Sequence, residues 1–307
     1  MGFKCGVYPK LISGGNVSFI NGGYKIHTFT ESGTFINSSS NIYYADILVV
    51  GGGGGSGYDG PTPIVIGNQG GTAGGGAGGS VLKRKWVTLS NNTSFPTIIG
   101  SAGNSSNNVN YVGTSLTFGG DTIFNSPGNN GVPELRAPGG ASGAESFAWQ
   151  FGSSVNIDNP LGSGGGGSAA WGTYSQTGPG TGANVIGYGF SGGNNGGTGN
   201  GNTGTPGGAG GGGGAGSAGV DGGPGSNNAG GLGGDGLPIS DFTGNPLDYA
   251  GVGGGGSPVS PPGGSVLNSA PRHPQDINSP THYGRGGAVG PNSNRQSQDG
   301  IVIIKLI

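Results

Sequence analysis

The sequence predicts an all-β chain: a β-sandwich or jelly-roll-like core with an inserted bundle of polyglycine-II helices and almost no α-helix. Three observations carry this. Apolar, β-branched runs frame the chain, Ile47-Leu48-Val49-Val50 near its start and Ile301-Val302-Ile303-Ile304 at its end. Between them glycine dominates, at 81 of 307 residues, about a quarter against a usual ~7%. No stretch keeps a 3.6-residue apolar period over three turns, and alanine mostly sits beside glycine.

The elements follow in order. Tyr24-Lys25-Ile26-His27-Thr28-Phe29-Thr30 is rich in β-branched and aromatic residues and reads as a strand. Glu31-Ser32-Gly33 is a turn, and Thr34-Phe35-Ile36 restarts a strand. Residues 42–50 form the next strand; its continuous apolar end implies burial on both faces. Val81-Leu82, Trp86-Val87-Thr88-Leu89, Thr97-Ile98-Ile99 and residues 115–118 are further candidates, and 301–307 is the last. Trp86, inside a strand-like run, is expected in the core. The predicted division is a β core of residues 1–125 with 300–307 and a glycine-rich half, residues 126–299.

That half alternates two kinds of text. Glycine blocks occupy 139–143, 162–167, 192–219, 222–236, 251–256 and 284–290, and 51–57 and 70–79 belong with them. Heterogeneous segments carrying aromatics separate them, at 144–161, 168–190, 237–250 and 257–283. Fixing a glycine costs about 0.5–1 kcal/mol more than fixing alanine. Over 81 glycines this is on the order of 40–80 kcal/mol, several times the net stability of a domain. Either the blocks are flexible low-complexity sequence, or something specific to glycine offsets the entropy. Polyproline-II-like chains point every N–H and C=O outward, and without Cβ atoms such rods can bond one another laterally. A seven-residue block would span about 20 Å, the length of a six- or seven-residue strand. A linker has no reason to be cut into strand-length pieces. Gly53 then lies inside a rod, where a larger residue disrupts packing; in a linker it would be harmless.

Composition excludes several classes. Charged residues are 8% and the net charge is −2, against the clustered Lys and Arg that nucleic acid requires. Collagen is excluded because no strict Gly-X-Y period survives runs such as 210–214. One cysteine, Cys5, gives no intrachain disulfide framework. No apolar stretch approaches the ~18 residues of a membrane span, the first 15 residues lack a secretory h-region, and Gly6 breaks the myristoylation pattern.

No catalytic or cofactor constellation appears. Gly199-Asn200-Gly201-Asn202-Thr203-Gly204 spells GxGxxG, but without a strand–helix context and in so glycine-rich a chain the match is chance. His27, His273 and His282 with one Cys give no zinc spacing. The carboxylates form no recognisable acid–base pair with a nucleophile. No metal and no cofactor is expected, and the chain is expected not to be an enzyme. Lys83-Arg84-Lys85, the one basic cluster, reads as a strand end or solvated edge, with an anion site as the alternative.

His27-Thr28-Phe29-Thr30-Glu31-Ser32-Gly33-Thr34-Phe35 resembles the "htFtssGtF" opening of a glycine-rich domain of phage and other viral structural proteins and some bacterial surface proteins. Residues 46–55 resemble its "vLvVGGGGG" step, 74–81 its "GGGAGG-v" segment and 299–305 its terminal "GiviIr" strand. The glycine-rich half is similar to the distal tail-fibre adhesins of T-even-like phages, whose polyglycine helices stack and whose intervening loops form a receptor-binding tip. Their fibre-attachment domain has no counterpart in residues 1–50. The resemblance implies a structural protein of the virion or extracellular space, whose partners are a host cell-surface glycan or outer-membrane protein, other virion subunits and further copies of itself. The rival readings are a self-assembling filament, capsid or matrix subunit, and an ice-binding protein.

The candidate receptor-binding residues are the aromatics of the variable segments: Phe147, Trp149, Phe151, Trp171, Tyr174, Tyr188, Phe190, Phe242, Tyr249 and Tyr283. Tyr and Trp give rigid amphipathic contact area at low entropy cost. The same residues could instead cap the ends of the glycine bundle and supply the apolar contacts it lacks.

Overall fold

The computed structural model describes residues 12–19, 23–57, 73–104, 118–128, 131–143, 163, 165, 190–191, 194–195, 208–223, 230–246, 248–256, 282–288 and 296–307. In chain order the elements are β1 Ile12–Ser13, β2 Asn16–Phe19, β3 Lys25–Phe29, β4 Gly33–Asn37, β5 Tyr43–Val50, β6 Val81–Leu89, β7 Thr93–Ile98, β8 Thr122–Phe124, β9 Leu135–Ala137, β10 Phe190–Ser191, β11 Leu237–Pro238, α1 Ser240–Thr243, β12 Tyr249–Ala250, β13 His282–Tyr283 and β14 Ile301–Leu306. The expected all-β character holds: among the described residues the one helix is the single turn α1. The two expected pieces at 81–89 are one strand. Of the candidate at 115–118, residues 115–117 lie outside the described residues and Phe118 is in no strand.

A six-stranded antiparallel sheet runs β10-β6-β5-β14-β3-β2, and a five-stranded one runs β1-β4-β7-β8-β9. The final strand β14 sits centrally, between β5 and β3. Its apolar run pairs with that of β5 from Ile301↔Val50 to Leu306↔Ala45. Both runs are buried on two faces, as continuous apolar text requires. Ile47, Val49, Val302 and Ile304 enter one cluster with Phe35, Phe95, Phe124 and Leu135 of the five-stranded sheet. Leu48, Val50, Ile301 and Ile303 enter a second cluster, on the opposite face, with Ile239 and Phe242. The first cluster stacks Phe95 on Phe124 at 5.6 Å and tilts Phe35 against Phe95 at 6.2 Å, offset geometries that aromatic quadrupoles favour. Its rim is tied by Asn37, fully buried, whose Nδ2 donates to Asn41 O, Leu89 O and Ser90 O at 3.0–3.1 Å. Asn37 Oδ1 accepts from Ser39 N and Oγ.

Antiparallel neighbours bring the end of one strand beside the start of the next. Val50 pairs with both Val81 and Ile301, Ile98 with Ile123, and Thr122 with Ala137. The segments leaving Val50, Ile98 and Ala137 and those entering Val81, Thr122 and Ile301 therefore converge. Their backbones join at once: Gly51 donates to Ser80 O at 2.9 Å, Gly52 to Gly120 O at 3.0 Å, Ser80 to Pro138 O at 2.9 Å and Gly300 to Gly100 O at 2.9 Å.

The glycine segments beyond this junction are buried throughout at 51–57, 73–80, 137–143, 208–215 and 251–256. They are not strands, and their hydrogen bonds recur every third residue. From block 73–80, Gly75 and Gly78 donate to Gly210 O and Gly213 O, Gly76 and Gly79 to Gly287 O and Gly284 O, and Ala77 and Ser80 to Ala141 O and Pro138 O. Three successive N–H groups thus serve three different neighbours. Gly51, Gly54 and Gly57 in turn donate to Ser80 O, Ala77 O and Gly74 O. A β-ladder would return to one partner every second residue.

The expected domain boundary shifts. β9 lies in the five-stranded sheet with Leu135 and Ala137 in its core, so the core extends past residue 125. Blocks 51–57 and 73–80 bond to blocks beyond 126, because backbone bonding, unlike side-chain packing, does not follow the composition shift along the chain.

Candidate functional site

Of the ten sequence-predicted aromatics, Phe147, Trp149, Phe151, Trp171, Tyr174 and Tyr188 lie outside the described residues. Phe190 is described in its backbone, which pairs with Leu82 in β10. Phe242 is a correction: it is 2% exposed and belongs to the second core cluster. The turn α1 carries it down onto the six-stranded sheet, since Leu48, Ile301 and Ile303 would otherwise face water. Tyr249 and Tyr283 are half-buried on neighbouring strands of a small sheet β11-β12-β13, and Tyr283 packs against the same cluster. Tertiary structure gathers Phe242 and Tyr283 beneath the sheet. No sequence signal separates them from loop aromatics, because their partners lie far along the chain.

A different aromatic site stands on β6. Trp86, expected in the core, is 65% exposed. The alternation of β6 slips there. Leu82 and, further on, Val87 and Leu89 all enter the first cluster, although the spacing from 82 to 87 is odd. A β-bulge absorbs the extra residue: the register with β5 jumps between Ala45 and Ile47. Asp46 Oδ1 accepts the Trp86 N–H at 3.1 Å and holds the bulge. Trp86 adopts φ 58°, in the left-handed region, a conformation costing a bulky residue about 1–3 kcal/mol. Its ring meets half-exposed Tyr44 edge-on at 6.4 Å. The slip was legible in principle. With Val87 and Leu89 facing inward, unbroken alternation would bury Lys83 and Lys85, which is prohibitive.

The basic cluster belongs to this edge. Lys83 leans over the sheet, pairing with Asp241 and donating to Pro238 O, with Phe242 beneath its ammonium at 5.8 Å. Between β6 and residues 131–135 runs an open groove of 510 Å³ lined by Arg84, Lys85, Trp86, Val87, Val132 and Pro133, among others. No carboxylate lines it among the described residues.

His27 is fully buried in β3. Its Nδ1–H donates to Gly14 O at 2.7 Å, its ring meets Phe35 edge-on at 5.0 Å, and its Nε2 has no partner. Burial lowers its pKa below the usual 6.5, opposed by the Gly14 bond and assisted by the nearby Lys25 charge. Among the described residues no three His, Cys, Asp or Glu side chains are grouped to hold a metal, and no helix is long and apolar enough to cross a membrane. Residues 199–204, His273 and Cys5 lie outside the described residues. No protein-family model matches this chain, and no curated protein matches it.

Proposed function

We propose that the chain is a non-enzymatic attachment protein of the viral tail-fibre adhesin class, working at the virion surface on a host-cell glycan or outer-membrane protein. In this reading the two sheets form a sandwich, and the glycine blocks are polyglycine-II helices bundled side by side. The observation that carries it is the three-residue recurrence of lateral hydrogen bonds, each successive N–H of 75–80 serving a different neighbour. Three residues per turn is the period of the polyproline-II helix, and a rod bonded on three sides is rigid without a hydrophobic core. Such rods would fix the segments between them, and the aromatics of those segments, Trp149 and Trp171 among them, supply contact area suited to recognition. Replacing Trp149, Trp171 and Tyr249 by Ala is expected to abolish adsorption of the source particle while the melting temperature holds. Unchanged adsorption by a folded triple variant would refute the assignment.

A second reading, a self-assembling filament or capsid subunit, is favoured by β2. It is an edge strand of the six-stranded sheet, with Asn16 and Ser18 exposed and Val17 49% exposed, and such edges template pairing between chains. Concentration-dependent assembly of the purified chain in sedimentation would select this reading.

A further inference from the structure

We propose that the bare end of the outer face of the six-stranded sheet is a second ligand site: an aromatic platform for an extended, uncharged, β-linked oligosaccharide lying across the strands from Trp86 over Tyr44 to Tyr24. The platform is built on the β core, so it stands or falls separately from the aromatics between the glycine blocks.

The turn α1 covers one end of this face. Lys83 pairs with the Asp241 carboxylate and Lys305 donates to Asp241 O at 3.1 Å, so two lysines hold the turn over the second cluster. Beyond them the face is bare. Alternation from Leu48, Ile303 and Ile26, all in that cluster, puts Tyr44, Lys305, Ile307 and Tyr24 on it. Ile307 N–H donates to Tyr44 O at 3.0 Å and continues the ladder, and the Lys305 ammonium lies 4.5 Å from the centre of the Tyr24 ring. Trp86 joins them through the bulge. Counted by twos from Leu82, which enters the first cluster, Trp86 would point inward. The extra residue turns the indole outward, edge-on to Tyr44, at a left-handed backbone position that strains a bulky side chain. Bulges re-aim side chains beside functional sites, and retained strain points the same way. Of the nine large apolar side chains exposed among the described residues, Tyr24, Tyr44, Trp86 and Ile307 gather at this one end.

Size and chemistry narrow the occupant. From β6 across β5 and β14 to β3 there are three interstrand spacings, about 14 Å and so the length of about three pyranose rings. A patch this wide and a few residues deep covers on the order of 200 Å², a fraction of the ~800 Å² that each partner gives to a stable protein interface. It is too small for a second copy of the chain. β5 and β14 are interior strands whose backbone groups are already paired, so no peptide strand can be added here. The charged side chains between the rings are engaged within the fold, Asp46 by the Trp86 N–H and Lys305 by α1, so the platform calls for an uncharged ligand. It offers indole and phenol faces to apolar C–H surfaces, and the hydroxyls of Tyr24 and Tyr44 to polar groups at their edges. A β-linked chain presents its rings as one extended ribbon that matches a sheet face; an α-linked coil does not.

The test is calorimetric titration of the full chain with β-linked cellohexaose and mannohexaose, α-linked maltohexaose and an acidic oligogalacturonate, with sedimentation of the free chain alongside. At least one β-linked hexaose is expected to bind, more tightly than its disaccharide, with an affinity that added salt leaves unchanged. Trp86→Asn, which suits the left-handed backbone, is expected to keep the melting temperature while weakening that binding about tenfold or more. Tyr44→Thr keeps a strand-favouring residue and is expected to weaken it severalfold; it decides the matter if Trp86→Asn melts early. The proposal is overturned if neither β-linked hexaose binds, or if maltohexaose or oligogalacturonate binds as tightly. It is also overturned if both variants bind as the parent does, or if the parent sediments as an oligomer that Trp86→Asn dissociates.

Discussion

Gly53→Ala adds one methyl group at the junction between sheet and glycine block, and the structure sets its consequence. Gly53 is buried, donates its N–H to Gln298 O at 2.9 Å and accepts from Gly103 N–H at 2.8 Å. A Cβ there would overlap the Arg285 carbonyl and Gly286 N. These are backbone atoms, and they are themselves held: Arg285 O accepts from Gln298 and Gly286 N–H donates to Val252 O, both at 2.8 Å. No rotamer change relieves the overlap, so the glycine segments must move apart. Overpacking of this kind costs about 1–3 kcal/mol. Losing one or both lateral bonds, with their buried groups left unsatisfied, adds about 1–3 kcal/mol each. The expected loss is about 2–9 kcal/mol, a large share of a domain's ~5–15 kcal/mol, and on the order of 10 °C in Tm for a chain of this size. The control is Gly33→Ala in β4, where a Cβ would meet only Phe29 ring carbons at 3.5 and 3.6 Å. That is ordinary contact, and reduced freedom of the unfolded chain should leave this variant within about 1 kcal/mol of the parent, on the stable side. Urea unfolding followed by circular dichroism compares the pair. If Gly53→Ala loses no more than Gly33→Ala, the blocks do not owe their order to close backbone approach.

Phe242→Ala should act as a core truncation, costing about 3–5 kcal/mol in chemical unfolding, because Phe242 is 2% exposed beneath the six-stranded sheet; wild-type stability would return it to the surface candidates. Asn37→Ala should cost about 2–4 kcal/mol in the same assay, since it strips partners from the carbonyls of Asn41, Leu89 and Ser90 inside the rim. Asn37→Asp should be worse at pH 7 and recover in part near pH 4, as its carboxylate is protonated; a pH-independent deficit would contradict that. For His27 the sign is fixed by burial. Its folded pKa lies below the unfolded 6.5, so the unfolded chain binds the extra proton. The stability is therefore complete above pH 6.5 and is lost as pH falls from there through the folded pKa. Thermal melts from pH 7.5 to 5 should fall more steeply for the parent than for His27→Gln; parallel curves would refute the buried neutral imidazole.

Much of the fold was legible because the signals are local. Ile47–Val50 and 301–304 are continuous apolar runs, which fit only a strand buried on both faces, and the two clusters divide those residues alternately. The site was not legible in this way. Phe242, which the sequence leaves open to either a binding loop or an apolar cap, is buried, and Trp86, expected in the core, is 65% exposed. What placed them was a turn of helix spanning an uncovered sheet face and a bulge opposite Asp46. Neither can be read from windows of ten residues, although Lys83 and Lys85 at inward positions did forbid unbroken alternation.

By itself the sequence determined the class of structure. Strand propensity, the lack of helical period and the entropy of 81 glycines allow a β core with either ordered rods or loose text between its strands. Tertiary structure decided which backbone groups meet. Glycine has no side chain to encode a partner, so the pairing of Gly75 with Gly210 or of Gly76 with Gly287 is written in no residue of either block. It follows from where the antiparallel strands deliver their ends, at the junction that Val50, Val81 and Ile301 share.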